Sequence, residues 1–454
     1  MVELTEEQEA AVVEIMSWEG DDFILAGAAG TGKTTIMREV ADRMSAGRSG
    51  AVHLLAPTNQ AARRLAKLTG YETLTIHKLI YGKPEELPNG SLVFPPPRLS
   101  EAEEYDPAAT YIVDEASMVG KRLGEDLRSI VSGLIVWVGD QEQLKPVEDT
   151  PYVDLLRANF TLGTVHRQAK GSKTLAIATE VRAFSASAPP PPRQASLWAL
   201  TQRHGVSMMA SGSVTAAAQR LLHLHQTPDA QSSVILAWRN AVRRATNAEY
   251  RRICGASTPL HPGERLVVQN NHYSEGYLNG DVVRVRQVEW RDTPPWLADL
   301  LGRRMATFYV EGDEKPLYTT DWLLHGTPGS LEEKDKIPGV SYPPGLARRD
   351  YVQAIAMARD RAKTMYGSEQ ATQEQLDNLE KINRGLSRML YLDYAYCMTV
   401  HRFQGSQAHT VVLVWEQEWM WTGKKAPPDR RDDTRRWLYT ALTRAEKDVF
   451  VVQL

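Results

Sequence analysis

The chain contains 454 residues, 42% of them hydrophobic and 24% charged, and its formal net charge is −3. This composition is ordinary for a soluble globular protein of about three domains. The near-neutral charge argues against a histone-like nucleic-acid binder, although not against one that binds in a local groove. The two cysteines form no metal-binding pair, and no apolar run approaches the roughly 20 residues of a membrane span. Because the N-terminus also lacks a signal-peptide pattern, we expect a cytoplasmic protein.

The N-terminal part of the chain alternates between helical and strand patterns. Residues 1–20 are amphipathic, and Gln8 follows Thr5 at the spacing of a helix-capping box. Short apolar runs that predict buried strands lie at 23–26, 51–56, 110–113 and 134–138. Near-continuous apolar strands separated by helices predict a parallel sheet that is covered on both faces.

Residues 81–106 interrupt this alternation. Pro88-Asn89-Gly90 is a strong signal for a tight turn, and the strand-like run that follows it ends in three prolines. We therefore predict a small β-hairpin that protrudes from the first domain. An ordinary surface loop is the alternative interpretation of the same residues.

A second α/β unit follows, and an insertion splits it. A buried-strand pattern occurs at 234–237, and strand character returns at 411–415 and 449–452. Between them, short β-like runs predict a small barrel, and residues 345–390 are helical in composition. The predicted domains are a first domain at 1–165 with the hairpin at 81–106, a second domain at 166–261 and 391–454, and an inserted domain at 262–390.

A glycine-rich stretch lies between the first predicted strand and a helix that begins near Lys33. Its spacing, G-x-x-x-x-G-K-T, is that of a P-loop, whose backbone N–H groups and helix N-terminus face bound phosphates. Lys33 would reach the β- and γ-phosphates and the Thr34 hydroxyl would bind Mg²⁺, so we expect bound ATP or GTP. The predicted nucleotide contacts in this stretch are Gly27, Ala29, Gly30, Thr31, Gly32, Lys33, Thr34 and Thr35.

Two adjacent carboxylates, Asp114 and Glu115, follow the third predicted strand. At the C-terminal end of this strand, Asp114 can hold Mg²⁺ directly or through water, and Glu115 is placed to activate the attacking water. An Asp-Glu pair alone is common on protein surfaces. After an apolar strand and together with a P-loop, the pair favours nucleotide hydrolysis over binding alone.

The next strand ends in Gly139-Asp140-Gln141-Glu142-Gln143-Leu144-Lys145-Pro146, which resembles motif III of superfamily 1 helicases. The resemblance makes Gln143 the sensor of the γ-phosphate, and Lys145 stands where the family often has proline. Other matches occur in family order at 4–8 (the Q motif, with Gln8 as the adenine contact), 56–62 (Ia), 75–79 (Ib), 165–168 (IV), 399–407 (V) and 437–445 (VI). This ordered set is more specific than any single motif, and it makes ATP the expected nucleotide.

An ATPase site in a cleft between domains needs a cation from the far side, which stabilises the charge that builds on the transferred phosphoryl group. Arg444, in the stretch that resembles motif VI, is the first choice for this arginine finger, and Arg167 in motif IV is the second. The resemblance also places Gly405 of motif V at the nucleotide. The expected cofactors are ATP and Mg²⁺, and closure of the cleft would supply the working stroke.

A channel for single-stranded nucleic acid should combine hydroxyl or amide donors for phosphates with flat surfaces for bases. The predicted contacts of this kind are Pro57, Thr58, Thr75, His77, Thr399 and His401. Phe94 lies beside prolines in the predicted hairpin and is a candidate wedge against a duplex junction. The alternative role for Phe94 is a hydrophobic anchor that holds the hairpin in place.

The hairpin, the split second domain and the barrel-like insertion together resemble the RecD-like branch of superfamily 1B, in particular its phage Dda-like helicases. This resemblance implies two RecA-like parallel-sheet motor domains, an inserted SH3-like β-barrel with a helical extension, and movement from 5′ to 3′. The expected function is an ATP-dependent DNA helicase that acts as a monomer on single-stranded and forked duplex DNA, in a bacterial or phage-infected cytoplasm. Replication or recombination proteins are candidate partners. A translocase that remodels protein–DNA complexes and a P-loop regulatory ATPase are the alternatives.

Overall fold

The computed structural model describes residues 4–46, 51–81, 85–86, 92–93, 106–146, 149–165, 172–184, 197–210, 212–269, 272, 276–321, 324, 348–367, 371–416 and 428–454. The chain divides into two compact units. The first unit comprises Met1–Lys83, Pro95–Trp238 and Thr399–Leu454, and the second comprises Pro84–Phe94 and Arg239–Met398. The domain boundaries expected from the sequence stay a prediction.

Strands occur in both units. In chain order they are β1 (Asp22–Gly27), β2 (Val52–Ala56), β3 (Thr73–Thr75), β4 (Glu85–Glu86), β5 (Leu92–Val93), β6 (Thr110–Val113), β7 (Ile135–Gly139), β8 (Phe160–Leu162), β9 (Ser207–Met209), β10 (Val234–Ala237), β11 (Arg265–Val268), β12 (Val282–Asp292), β13 (Arg304–Val310), β14 (Leu317–Thr320), β15 (Leu392–Tyr394), β16 (Cys397–Thr399), β17 (Ala408–Trp415) and β18 (Ala445–Gln453).

The helices also lie in both units. They are α1 (Glu6–Met16), α2 (Lys33–Ala46), α3 (Asn59–Thr69), α4 (Ile76–Ile80), α5 (Lys121–Ile130), α6 (Lys173–Ala183), α7 (Leu197–His204), α8 (Val214–His225), α9 (Asn240–Ile253), α10 (Pro295–Leu301), α11 (Arg348–Tyr366), α12 (Gln373–Ser387), α13 (Val400–Phe403) and α14 (Pro428–Leu442). Within the described ranges, no helix is long and apolar enough to cross a membrane.

The first sheet of unit 1 has the strand order β3-β2-β6-β7-β1-β8, and these neighbours pair in parallel. Side chains of its central strand β7 alternate between two cores, as the pleat of a strand requires. Val136 and Val138 pack with α1 and α2, whereas Ile135 and Trp137 pack with α4 and α5. The predicted parallel sheet with helices on both faces is therefore confirmed, and its strands end where the P-loop, Asp114 and Asp140 begin.

A second parallel sheet in unit 1 contains β10, β17, β18 and β9 in that order. Helix α14 packs against it through the fully buried Trp437, whose ring centroid lies 5.2 Å from that of Trp238 and 6.1 Å from that of Trp415. The three tryptophan rings pack against one another at tilted angles and bury a large apolar area, which fixes α14 and the residues that follow it. Unit 1 thus has a mixed α/β, RecA-like architecture built on parallel sheets.

Unit 2 has a different architecture, an antiparallel sheet with the strand order β14-β13-β12-β11-β15. Helices α10, α11 and α12 share one apolar core with residues at the end of the sheet. A buried ion pair joins Arg243 to Asp393, and Arg251 contacts Glu264 at 2.6 Å. Strands β4 and β5 pair antiparallel. The SH3-like identity of this sheet and the pin role of the hairpin stay predictions, and Phe94 lies outside the described residues.

Candidate active site

The P-loop connects β1 to α2, as the sequence predicts. Gly30 and Gly32 have positive φ values of 82° and 85°, which explains why glycine occupies these positions. The Lys33 Nζ atom donates hydrogen bonds to the carbonyl oxygens of Gly27 at 2.7 Å and Ala28 at 3.0 Å. This side chain therefore lies over the loop with its ammonium group at the place where phosphates bind to P-loops.

Gln8 links the first helix to this loop. The predicted capping box is present, because the Gln8 Oε1 atom accepts a hydrogen bond from the Thr5 N–H and the Thr5 hydroxyl accepts one from the Gln8 N–H. The Gln8 Nε2 atom donates to the Thr31 carbonyl oxygen at 3.4 Å. Gln8 thus fixes the α1 N-terminus against the P-loop, and its contact with adenine stays a prediction.

Asp114 and Glu115 occupy the C-terminal end of β6 and are both more than nine-tenths buried. Glu115 has a φ of 52° and, among the described residues, is the non-glycine residue with a positive φ. Such a backbone costs roughly 1–3 kcal/mol and is often retained at functional sites. Burial raises the pKa of Asp114 to about 6, and the neighbouring Glu115 charge adds to this effect.

Asp114 and Glu115 line a cavity of about 430 Å³. Residues next to the second parallel sheet of unit 1 line the same cavity. Arg444 lies between α14 and β18, and its Nη1 atom is 3.7 Å from the Glu115 Oε1 atom. Gln143 and Arg444 are 4% and 3% exposed. The Gln143 Oε1 and Arg444 Nε atoms have no hydrogen-bond partner among the described residues.

This cavity fits a nucleoside triphosphate with Mg²⁺. Buried polar atoms are normally hydrogen-bonded, so the two unpaired atoms indicate that an additional group satisfies them. The cavity offers the cations Lys33 and Arg444 for phosphates, and the Thr34 hydroxyl and the Asp114 carboxylate for a metal ion. Mg²⁺ typically takes few protein ligands and several phosphate or water oxygens, which matches this small donor set.

The cavity contains most, but not all, of the residues predicted for nucleotide binding. Those along its wall are Ala29, Gly30, Gly32, Lys33, Thr34, Asp114, Glu115, Gln143 and Arg444. Gly405 is not among the residues along this wall, and a Cβ atom built on it would meet the Ala61 Cβ at 2.8 Å and the Thr58 Oγ1 at 3.2 Å; its contact with the nucleotide stays a prediction. Gly27, Thr31 and Thr35 belong to the surrounding loop and helix, and Arg167 lies outside the described residues.

Sequence reasoning missed several residues along this cavity. Arg64 on α3 lines it and is close enough to Asp114 to lower its pKa, against the larger effect of burial. Gln60, on the same face of α3 one turn earlier, bonds to Ser406. Arg64 lies two residues beyond the stretch that resembles motif Ia, and because α3 also carries Arg63 and Lys67, no sequence signal distinguished it. Ser172, which caps α6, and Gln407 and Thr443 also line the cavity.

The predicted nucleic-acid contacts lie at helix starts. Thr58 and Thr75 cap α3 and α4, and their Oγ1 atoms accept hydrogen bonds from the N–H groups of Ala61 and Lys78. Thr399 precedes α13 with the same φ of −79° and ψ of 148° as Thr75. The segments 75–78 and 399–402 are therefore similar in sequence, as Thr-Ile-His-Lys and Thr-Val-His-Arg, and each begins a helix after a threonine with the same backbone angles.

The remaining candidates lie within these segments or beside them. Pro57 precedes Thr58, the His77 ring lies 5.5 Å from the Tyr81 ring, and the His401 ring lies edge-on to Trp238 at 6.5 Å. Their role in nucleic-acid binding stays a prediction.

Comparisons with known proteins agree with this geometry. An AAA domain family model matches residues 3–190, and a UvrD-like helicase C-terminal domain model matches residues 394–452. The ATP-dependent RecD2 DNA helicase of Deinococcus radiodurans is 37% identical over 151 residues, which are 32% of this chain and 19% of that protein. The ATP-dependent DNA helicase dda of Enterobacteria phage T4 is 31% identical over 160 residues, 33% of this chain and 35% of that protein. The chain is therefore similar to the RecD2 and Dda DNA helicases over about a third of its length.

This RecD- and Dda-like chain matches its curated relatives over well under two thirds of their length, as the shares of 19% and 35% state. A crystal structure of a Bacteroides Pif1 helicase in complex with ADP-AlF3 and ssDNA aligns with 99% of this chain and 92% of that chain, at 15% identity and a TM-score of 0.49.

Replacing Asp114 by Asn should stabilise this RecD- and Dda-like protein at neutral pH. The pKa of Asp114 is about 6 in the folded state, whereas an unfolded chain titrates near 3.9. The protonated Asp114 side chain therefore contributes stability that is fully present below roughly pH 4. This contribution is lost as the pH rises through about 6, because the buried carboxylate must ionise. We expect Asp114→Asn to raise the free energy of unfolding by about 1–3 kcal/mol at pH 7.5 and hardly at all at pH 4.

Urea unfolding of both proteins at pH 4, 5.5 and 7.5 measures this difference. Asp229→Asn, which changes an exposed carboxylate, serves as the matched control and should leave stability unchanged at each pH. A gain from Asp114→Asn that is the same at every pH would contradict the assignment, because it would not come from ionisation.

Proposed function

We propose that this chain is an ATP-dependent DNA helicase that moves from 5′ to 3′ along single-stranded DNA and separates duplex DNA. The observation that supports it most is the 3.7 Å approach of Arg444 to Glu115 across the nucleotide cavity. The P-loop belongs to the first parallel sheet and Arg444 lies at the start of β18 in the second. Because the two sheets each supply part of the site, binding and loss of the phosphates change how strongly the two sheets attract one another. A motor requires such a link between the nucleotide and domain closure.

The residues predicted for phosphate binding and hydrolysis then have the following roles. The P-loop amides and Lys33 bind the phosphates, and the positive end of the α2 dipole adds to their attraction. Thr34 and Asp114 would hold Mg²⁺, which neutralises phosphate charge when it is bound. Glu115 accepts a proton from the attacking water. Gln143 senses the γ-phosphate, while Arg444, together with Arg167, stabilises the charge that develops on it.

DNA is the partner that the comparisons favour, because both curated relatives are named DNA helicases. The matched segments 75–78 and 399–402 would each offer a threonine hydroxyl and a helix N-terminus to a phosphate. If the two segments hold the DNA in turn, each closure of the nucleotide cleft moves the protein one step along the strand. Opening one base pair costs about 1.4 kcal/mol of stacking, which is a small demand on ATP hydrolysis.

ATPase assays with and without single-stranded DNA, followed by unwinding of 5′-tailed and 3′-tailed duplexes, test this function. We expect DNA to stimulate hydrolysis and only the 5′-tailed duplex to be unwound. Hydrolysis that DNA leaves unchanged would favour a regulatory ATPase, and stimulated hydrolysis without strand separation would favour a translocase. Unwinding of the 3′-tailed duplex alone would reverse the polarity, and greater stimulation by single-stranded RNA would replace the substrate.

A further inference from the structure

Tyr439 on α14 joins two catalytic loops of unit 1. Its hydroxyl donates a hydrogen bond to the Asp140 Oδ2 atom at 2.6 Å and accepts one from the backbone N–H of Ala29 at 3.0 Å. Ala29 belongs to the P-loop, and Asp140 is the first residue after β7. Tyr439 and Asp140 are 2% and 1% exposed, so water does not compete for these bonds.

The direction of both bonds is fixed by chemistry. Burial and the nearby Asp140 carboxylate hold the pKa of Tyr439 well above its ordinary value of 10, so the phenol keeps its proton. A carboxylate can only accept, and the Ala29 N–H can only donate. The single hydroxyl proton must therefore point to Asp140, while an oxygen lone pair faces Ala29. This polar arrangement has one satisfied geometry, which makes the bridge rigid.

Asp140 in turn shapes the segment at residues 140–144, which we name the sensor loop. The Asp140 Oδ1 atom accepts a hydrogen bond from the Glu142 N–H at 3.0 Å, and its carbonyl oxygen accepts one from the Gln143 N–H at 3.2 Å. These bonds curl the loop so that the Gln143 side chain enters the nucleotide cavity. The orientation of Gln143 therefore depends on Asp140, which Tyr439 holds.

Other side chains hold the sensor loop from the same side. Arg436 donates to the carbonyl oxygens of Gln141 and Gln143, the Thr440 Oγ1 atom accepts from the Leu144 N–H at 3.1 Å, and the Gln404 Nε2 atom donates to the Leu144 carbonyl oxygen at 3.4 Å. Arg436 and Thr440 lie one turn apart on α14, on the face that carries Tyr439. Tyr439 differs from them because it also reaches the P-loop.

We propose that Tyr439 is a positioning residue for ATP hydrolysis, which holds the P-loop and the sensor loop in register so that Gln143 meets the γ-phosphate. This inference rests on the proposed ATPase function and adds a residue to it. Tyr439 is not among the residues that line the nucleotide cavity. Its loss should therefore affect the rate of the chemical step rather than the binding of ATP.

The decisive variant is Tyr439→Phe, which keeps the buried ring and removes only the hydroxyl. We expect kcat to fall roughly ten- to a hundredfold, the range for a lost hydrogen bond to a charged partner, with KM for ATP changed less than about twofold. Asp140→Asn weakens the same bond from the other end and should lower kcat in the same way. In the double variant the loss should be no larger than in Asp140→Asn alone, because the Tyr439 hydroxyl acts on the sensor loop through Asp140.

Tyr111→Phe is the matched control, since Tyr111 is fully buried in unit 1 and its hydroxyl donates to the Asp106 carbonyl oxygen at 2.9 Å. Steady-state ATPase assays and circular-dichroism melting of all variants complete the test. A wild-type protein without ATPase activity would overturn the proposed function and this inference with it. An active wild type with an unchanged kcat in Tyr439→Phe, or equal kcat losses in Tyr439→Phe and Tyr111→Phe, would overturn this inference alone.

Discussion

Replacing Glu115 by Gln should leave ATP binding intact and lower the rate of hydrolysis roughly 10²- to 10⁴-fold, the usual contribution of a general base. Gln has nearly the shape of Glu and keeps an oxygen that can orient water, but it cannot accept the proton. The left-handed backbone of Glu115, with a φ of 52°, aims this side chain into the cavity whichever of the two residues is present. The variant therefore removes the ability to accept a proton and changes the shape of the site very little.

Single-turnover hydrolysis and equilibrium binding of a fluorescent ATP analogue separate these two effects. Glu125→Gln on α5, where the side chain is 57% exposed, supplies the control for the loss of one negative charge. Normal turnover in Glu115→Gln would refute the assignment as a base. Loss of nucleotide binding would instead point to a structural role beside Arg444.

Strands β1, β2, β6 and β7 and the phosphate-binding loop were predictable because their signals are local, whereas the three-residue edge strands β3 and β8 were not predicted. Strand β7 is five consecutive buried residues, which a sequence window detects directly. Gly30 and Gly32 adopt positive φ values, which glycine adopts more readily than any other residue. The residue type alone therefore indicated this backbone conformation. The position of Asp114 and Glu115 at a strand end follows from the apolar run before them.

Contacts between the two parallel sheets of unit 1 were not predictable, because they depend on packing rather than on neighbours in sequence. Ala29 and Tyr439 are separated by 410 positions, yet they share a hydrogen bond. In sequence Tyr439 lies in the stretch that resembles motif VI, but nothing there shows what its hydroxyl contacts. The close approach of Gly405 to Thr58 and Ala61 illustrates the same limit, since these residues are far apart in sequence.

The placement of Arg444 was intermediate between these cases. A cation from the second sheet was required by the chemistry of phosphoryl transfer, and the motif around residue 444 supplied a candidate. The distance of 3.7 Å to Glu115 and the burial of both side chains come only from the structure. That geometry makes Arg444 the residue whose removal should cost the most activity.

Replacing Arg444 by Ala should lower DNA-stimulated ATP hydrolysis roughly 10³- to 10⁵-fold, the range for an arginine finger. The guanidinium faces Glu115 from the far wall of the cavity, so its charge acts mainly where phosphoryl transfer proceeds. Arg444→Lys keeps the charge but loses the planar fork, and we expect an intermediate rate. ATP should still bind, because the P-loop contacts do not involve this residue.

A loss of stability cannot imitate this result. Breaking a buried ion pair by removing one partner costs about 3–5 kcal/mol, which leaves a domain of ordinary stability mostly folded. A thousandfold loss of activity through unfolding would need about 4 kcal/mol beyond the whole stability of the protein. Circular-dichroism melting measures the folded fraction directly, and Arg157→Ala, which removes a cation that is 87% exposed, controls for net charge. If Arg444→Ala remained folded and hydrolysed ATP within tenfold of the wild-type rate, the pair with Glu115 would be structural, and the finger would have to come from elsewhere.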